Sequence, residues 1–143
     1  MIDQIFGPSF QIIERALDVR MMRQNIGAAN IANCETPGYV AVDLDFKATM
    51  KNIAEKIHAA DNAAKNIDEF RAFIGDPNII TESDLVLRAD DSTIVGNDGN
   101  TVSMEREVVK SQENKLMYSV VTQLIGLRLK GLKAAISGGQ MGG

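Results

Sequence analysis

The chain has no tryptophan, one histidine (His58), one cysteine (Cys34) and three prolines among its 143 residues. Each scarcity removes a class of answer. A single thiol cannot close a disulfide within the chain. One His and one Cys fall short of the four Cys or His ligands of a typical structural zinc site. A Ser-His-Asp or Cys-His nucleophile would have to be built on His58, and nothing places Cys34 or a serine beside it. Cys34 adjoins Glu35, the wrong charge for an activated thiolate. No Gly-x-Gly-x-x-Gly or phosphate-binding loop is present, and the Asp-rich stretch from Asp90 to Gly99 lacks the order of a calcium loop. The reading is therefore of a protein that is not an enzyme, with no catalytic residue, no cofactor and no metal. Aromatics make up only 5%, so a core rests on aliphatic side chains and favours helix packing. No run of about 18 apolar residues exists, which speaks against a membrane span. Met1 to Ser9 carry Asp3 and no basic residue, so no secretory signal is expected; work outside the cytoplasm would need a route without a cleaved signal.

Formal net charge is −4, with no basic block of the kind a nucleic-acid binder shows, so no nucleic acid is expected as a partner. The charge is uneven. Residues 43–98 carry 12 acidic and 6 basic side chains, and residues 99–143 carry 3 and 6. The middle reads as an acidic, solvated segment.

What is abundant is apolar residues at helical spacing. Phe6, Phe10, Ile13, Leu17, Met21 (or Arg20), Gln24, Ala28 and Ile31 recur every three or four positions, which predicts a helix from about Phe6 to Asn33. A second line, Ile12, Ala16, Val19, Ile26 and Ala29, gives that helix two apolar faces, so it needs more than one neighbour. Residues 47–74 read as a further helix through Met50, Ile53, Ile57, Ala60 and Ala64, continued by Ile67, Phe70 and Ile74, with a break at Gly75 to Asn78. Short β-type runs follow at Ile79-Ile80, Leu85-Val86-Leu87 and Thr93-Ile94-Val95, then a turn signal at Asp98-Gly99. A long helix is expected from an N-cap at Ser103 to about Ile136, with Val109, Leu116, Val120, Leu124, Leu127, Gly131 and Ala134 on one face. Met117, Val121, Ile125, Leu132 and Ile136 lie beside them, and a flexible Gly-rich tail closes the chain. The fold class is mainly α: long N- and C-terminal helices packed as an antiparallel coiled coil, around a variable middle of short helix and β or irregular pieces. The expected division is residues 1–39, 40–102 and 103–143, with both ends forming one assembly unit. Phe10, Ile13, Leu17, Ile31, Leu116, Val120, Leu124 and Leu127 are the expected helix-packing residues.

The most informative string is Asn30-Ile31-Ala32-Asn33-Cys34-Glu35-Thr36-Pro37-Gly38-Tyr39. Pro37 lacks an N–H and drives Thr36 extended. Pro37-Gly38 fits the centre of a type II turn, where glycine supplies the positive φ. The string resembles the Asn-(Ile/Leu)-Ala-Asn-x-x-Thr-Pro-Gly-Tyr signature of flagellar rod, hook and hook-associated proteins. Asp43-Leu44-Asp45-Phe46, the turn Asp98-Gly99-Asn100-Thr101-Val102, and Glu105-Arg106-Glu107 followed by Glu113-Asn114 and Tyr118 resemble the proximal-rod members, B-type before C-type. The likeness covers roughly residues 10–46 and 96–137. It implies a structural subunit of the proximal rod in the bacterial flagellar basal body, within the periplasmic space, exported by the flagellar type III apparatus and needed for motility. It also implies partners: copies of itself, the C-type proximal-rod protein, the rod-adapter protein, the membrane-supramembrane ring and the export gate. Asn30, Ile31, Ala32, Asn33, Thr36, Pro37, Gly38 and Tyr39 become candidate assembly residues. The competing class is a non-polymerising helical adaptor or chaperone module.

Overall fold

The computed structural model describes residues 8–64, 79–90 and 97–138, together with Glu69, Ala72, Phe73 and Asp76. In chain order the described elements are α1 (Pro8–Ala32), β1 (Val42–Leu44), α2 (Phe46–Ala63), a 3-10 turn (Glu82–Asp84), β2 (Leu87–Ala89) and α3 (Met104–Gly138). Phe6, Ile67, Phe70, Ile74, Gly75, Pro77, Asn78, the run Thr93-Ile94-Val95 and residues 139–143 of the tail lie outside the described residues.

Proline at the first position of α1 suits a helix start, where its missing N–H costs no hydrogen bond. Asp45 caps α2, its carboxylate accepting the Ala48 N–H at 2.9 Å. Ser103 precedes α3; its carbonyl accepts the Glu107 N–H at 3.0 Å and its hydroxyl the Arg106 N–H at 3.4 Å. β1 and β2 pair antiparallel with Val42 opposite Ala89, Asp43 opposite Arg88 and Leu44 opposite Leu87. Of the expected β-type runs, Leu85-Val86-Leu87 leads into β2, whereas Ile79-Ile80 forms a bend.

α1 has the two neighbours its two faces call for. Its Ile12, Val19, Met22 and Ile26 pack with Met50, Ile53, Ile57 and Ala60 of α2, closed by Leu44, Ile79, Ile80 and Leu85. This is the apolar core. Thr49 is buried within it and its hydroxyl accepts the Val86 N–H at 3.0 Å. The other side of α1 meets α3. Hydrogen-bond partners there run in opposing senses: Asn30 with Glu107, Gln24 with Ser111, Arg20 with Asn114. α3 has 35 residues and α1 has 25, lengths of about 52 and 37 Å. Among the described residues no helix is long and apolar enough to cross a membrane.

Candidate functional site

The Thr36–Tyr39 turn closes on a Tyr39 N–H to Thr36 carbonyl bond of 3.2 Å, and Gly38 has φ +72°. That is the positive φ a type II turn places on its third residue. Nothing lies within 4 Å of where a Gly38 Cβ would stand, so backbone conformation, not crowding, requires the glycine. A second left-handed glycine, Gly99 at φ +79°, faces it, its Cβ direction 3.7 Å from the Gly38 Cα. The two turns clasp. Gly38 N–H donates to the Asp98 carbonyl at 3.0 Å, Thr101 N–H to the Tyr39 carbonyl at 3.0 Å, and Ala41 N–H to the Thr101 hydroxyl at 2.8 Å.

Asn100 is the centre of the clasp. It is 5% exposed, and its amide nitrogen donates to the carbonyls of Asn33 (2.9 Å), Cys34 (3.0 Å) and Thr36 (2.9 Å). Carbonyls just past a helix end have no partner inside the helix; Asn100 supplies one from the far side of the sequence. Asn33 braces the same corner, donating to the Ala29 carbonyl at 2.8 Å and accepting the Thr36 hydroxyl at 3.2 Å.

Asn30 explains the motif's other asparagine. It is 1% exposed. Its Nδ2 donates to the Val42 carbonyl (2.7 Å) and Glu107 Oε2 (3.0 Å), and its Oδ1 accepts the Val42 N–H (3.2 Å) and the Tyr39 hydroxyl (3.2 Å). An amide side chain has two donors and two acceptor sites, and all four are used. The two ends of the string, Asn30 and Tyr39, thus touch each other, β1 and the start of α3. Ile31 is half-buried; Ala32, Thr36 and Pro37 are exposed.

A charged cluster lies alongside. Arg23 forks onto Asp43 at 2.9 and 2.8 Å. Lys110 reaches Asp90 (2.8 Å), Glu107 (2.9 Å) and Asp43 (3.7 Å), and Arg106 reaches Asp90 at 3.3 Å. Burial pushes the Asp43 carboxyl up, but the Arg23 hydrogen bond and the charges of Arg23 and Lys110 outweigh it and hold it below the ordinary carboxylate value. Burial pushes Lys110 down, and hydrogen bonds to Asp90 and Glu107 with the charges of Glu107 and Asp43 carry it above the usual lysine range. The Asp43 hydrogen bond raises Arg23 against its own burial. Three cations and three carboxylates therefore tie α1, β1, the end of β2 and α3 together.

On α3 the line facing α1 is Glu107, Ser111, Asn114, Tyr118, Val121 and Ile125, buried or half-buried at alternating spacings of four and three. Its first half is polar. Gln24 donates to the Ser111 hydroxyl at 2.7 Å, and Asn114 donates to the Arg20 main-chain carbonyl at 2.8 Å and to Gln24 Oε1 at 3.2 Å. Arg20 is stacked over the Phe46 ring at 4.0 Å, and burial, then the charge of Arg23, lowers its pKa. Leu116, Val120, Leu124 and Leu127, four of the expected helix-packing residues, are instead 63, 52, 44 and 66% exposed. Phe10, Ile13 and Leu17 are half-buried and continue the α1 side of Arg20 and Gln24. Asn100, Glu107 and Asn114 stand in strings that carry the family resemblance, yet hydrophobic periodicity assigns them no place in the site. His58 is exposed on α2 and Cys34 is half-buried beside the turn.

No family model matches the chain. Curated relatives do. The flagellar basal body rod protein FlgB of Cereibacter sphaeroides is 36% identical over 134 residues, 93% of this chain and 97% of the relative. FlgB of Salmonella typhimurium is 32% identical over 140 residues, covering 97% of this chain and 99% of the relative. FlgB of Yersinia enterocolitica is 31% identical over 140 residues, 97% of this chain and all of the relative.

Proposed function

The chain belongs to the FlgB family of flagellar basal body rod proteins, and from that membership we propose that it is a structural subunit of the proximal rod, exported by the flagellar type III apparatus and built in through its two terminal helices. The observation that carries the assembly part is the apolar stripe of Leu116, Val120, Leu124 and Leu127, about half exposed on the side of α3 away from α1. Covering the remaining surface of each such side chain stabilises by about 1 kcal/mol. Neighbouring subunits are the natural cover. In this reading α1 and α3 form an antiparallel coiled coil that packs against other coiled coils, and residues 40–102 sit outside it. A head-to-tail interface that does not close on itself yields a helical tube. The partners in this reading are copies of the chain, the C-type proximal-rod protein, the rod-adapter protein, the membrane-supramembrane ring and the export gate. Ordering the terminal segments costs conformational entropy, which inter-subunit burial offsets.

The test is complementation of a bacterium deleted for its own copy. The parent chain restores swimming. Leu116→Glu with Leu127→Glu keeps its helical circular dichroism and its export but restores none. Full swimming by that variant removes the stripe from the assembly interface; failure of the parent chain to complement removes the rod-subunit reading.

A further inference from the structure

α3 offers two lines to a partner helix, and α1 takes the less apolar one. Asn114, on the docked line, and Leu116, on the exposed stripe, are two residues apart, which sets the lines about 160° apart around the helix. Burial of apolar area alone would turn the stripe of Leu116, Val120, Leu124 and Leu127 toward α1. The clasp at Asn100 does not prevent that rotation, because it ends before α3 begins at Met104. Directional bonds do oppose it: Arg106 and Lys110 pair with Asp90 and Asp43 over the first two turns of α3, and hydrogen bonds to α1 continue beyond them. Asn114 is 5% exposed, and its amide reaches a main-chain carbonyl of α1, Arg20, at 2.8 Å, and Gln24 at 3.2 Å. Ser111 accepts from Gln24 at 2.7 Å, and Glu107, 2% exposed, accepts from Asn30 at 3.0 Å. With α3 turned over, Glu107, Ser111 and Asn114 would leave their partners, and buried Asn30 and half-buried Gln24 would face the leucine and valine of the stripe.

We infer that Asn114, together with Gln24, is a face-selecting residue: it directs α1 onto the polar line of α3 and so keeps the apolar stripe free for other subunits. The inference rests on the assembly reading of that stripe. A buried polar residue in a helix pair specifies arrangement at some cost in stability, and here the arrangement specified is which side is left open. Removal of the selector lets the chain cover its own assembly surface.

The experiment is thiol accessibility in the full-length free chain, in a Cys34→Ser background, with a single reporter: Leu116→Cys on the stripe or Val121→Cys on the docked line. Maleimide labelling is several-fold faster at position 116 than at 121 in the parent. In Gln24→Leu/Asn114→Ala, where Glu107 and Lys110 still hold the first turns of α3, the ratio of the two rates falls several-fold while circular dichroism shows unchanged helix. An unchanged ratio in that double variant overturns the inference, and so does equal labelling at both positions in the parent. Loss of helix in the variant makes the two residues merely structural, and also overturns it. The swimming assay is read on a different protein state, so failure here leaves the subunit reading standing, and failure there leaves the labelling result intact.

Discussion

Asn30 uses every hydrogen-bonding site of its amide in a position with almost no solvent. Asn30→Ala strands the Val42 N–H and carbonyl, the Tyr39 hydroxyl and one Glu107 oxygen. We expect it to destabilise the chain by about 3 kcal/mol in urea unfolding. Tyr39→Phe removes a single 3.2 Å bond and is expected to cost about 1 kcal/mol, so the two variants order the contributions at that corner. At Gly38 the space is open and only φ is demanding. Gly38→Asn, which tolerates the left-handed region, should cost a few tenths of a kcal/mol, and Gly38→Ala about 1 kcal/mol. Gly38→Val is expected to abolish rod formation, scored as loss of swimming, because a β-branched residue resists that backbone conformation.

At the scale of elements, ion pairs fasten α1 and α3 to β1 and the end of β2, and this makes their union depend on pH. The folded-state pKa of Asp43 is depressed, so its contribution is present above the ordinary carboxylate range and is lost as pH falls through the folded value. Lys110 is raised, so its contribution is present below the ordinary lysine value and is lost as pH rises through the folded one. The melting temperature should be flat from about pH 5 to pH 9 and fall on the acid side below about pH 4. Asp43→Asn should lower the plateau and flatten the acid limb. The helices themselves were legible because proline, glycine and apolar spacing act locally. Pro37-Gly38 marks the end of α1, and Ser103 marks the start of α3. The packing line on α3 was not legible, for a physical reason. Periodicity ranks faces by hydrophobicity and chose Leu116, Val120, Leu124 and Leu127, whereas hydrogen bonds from Gln24, Asn30 and Asn114 set the docked face. The clasp was hidden for a similar reason: Asn100 acts on carbonyls more than sixty residues away in sequence, a pairing that no local pattern encodes.

For the whole molecule, α3 outruns α1 by about 15 Å, ten residues at 1.5 Å each. Limited trypsin treatment of the free chain should therefore cut first after the exposed Arg128, Lys130 and Lys133, and leave the α1–α2 core longest, as read by mass spectrometry. Resistance at those three sites would mean that the distal half of α3 is already covered in solution. The clasp has a further result at this scale. Gly38 bonds Asp98 and Tyr39 bonds Thr101, so the chain departs from the helix pair and comes back to it at one spot. Everything between is a closed excursion hung from a fixed doorway. Lengthening such an excursion adds only a logarithmic entropy cost, and it leaves α1 and α3 where they were. That freedom belongs only to stretches that make no contact with the pair: Ile53 and Ile57 of α2 pack on Val19 of α1, and Asp43 and Asp90 hold Arg23 and Lys110, so sequence can be grafted in or trimmed only where these contacts are spared.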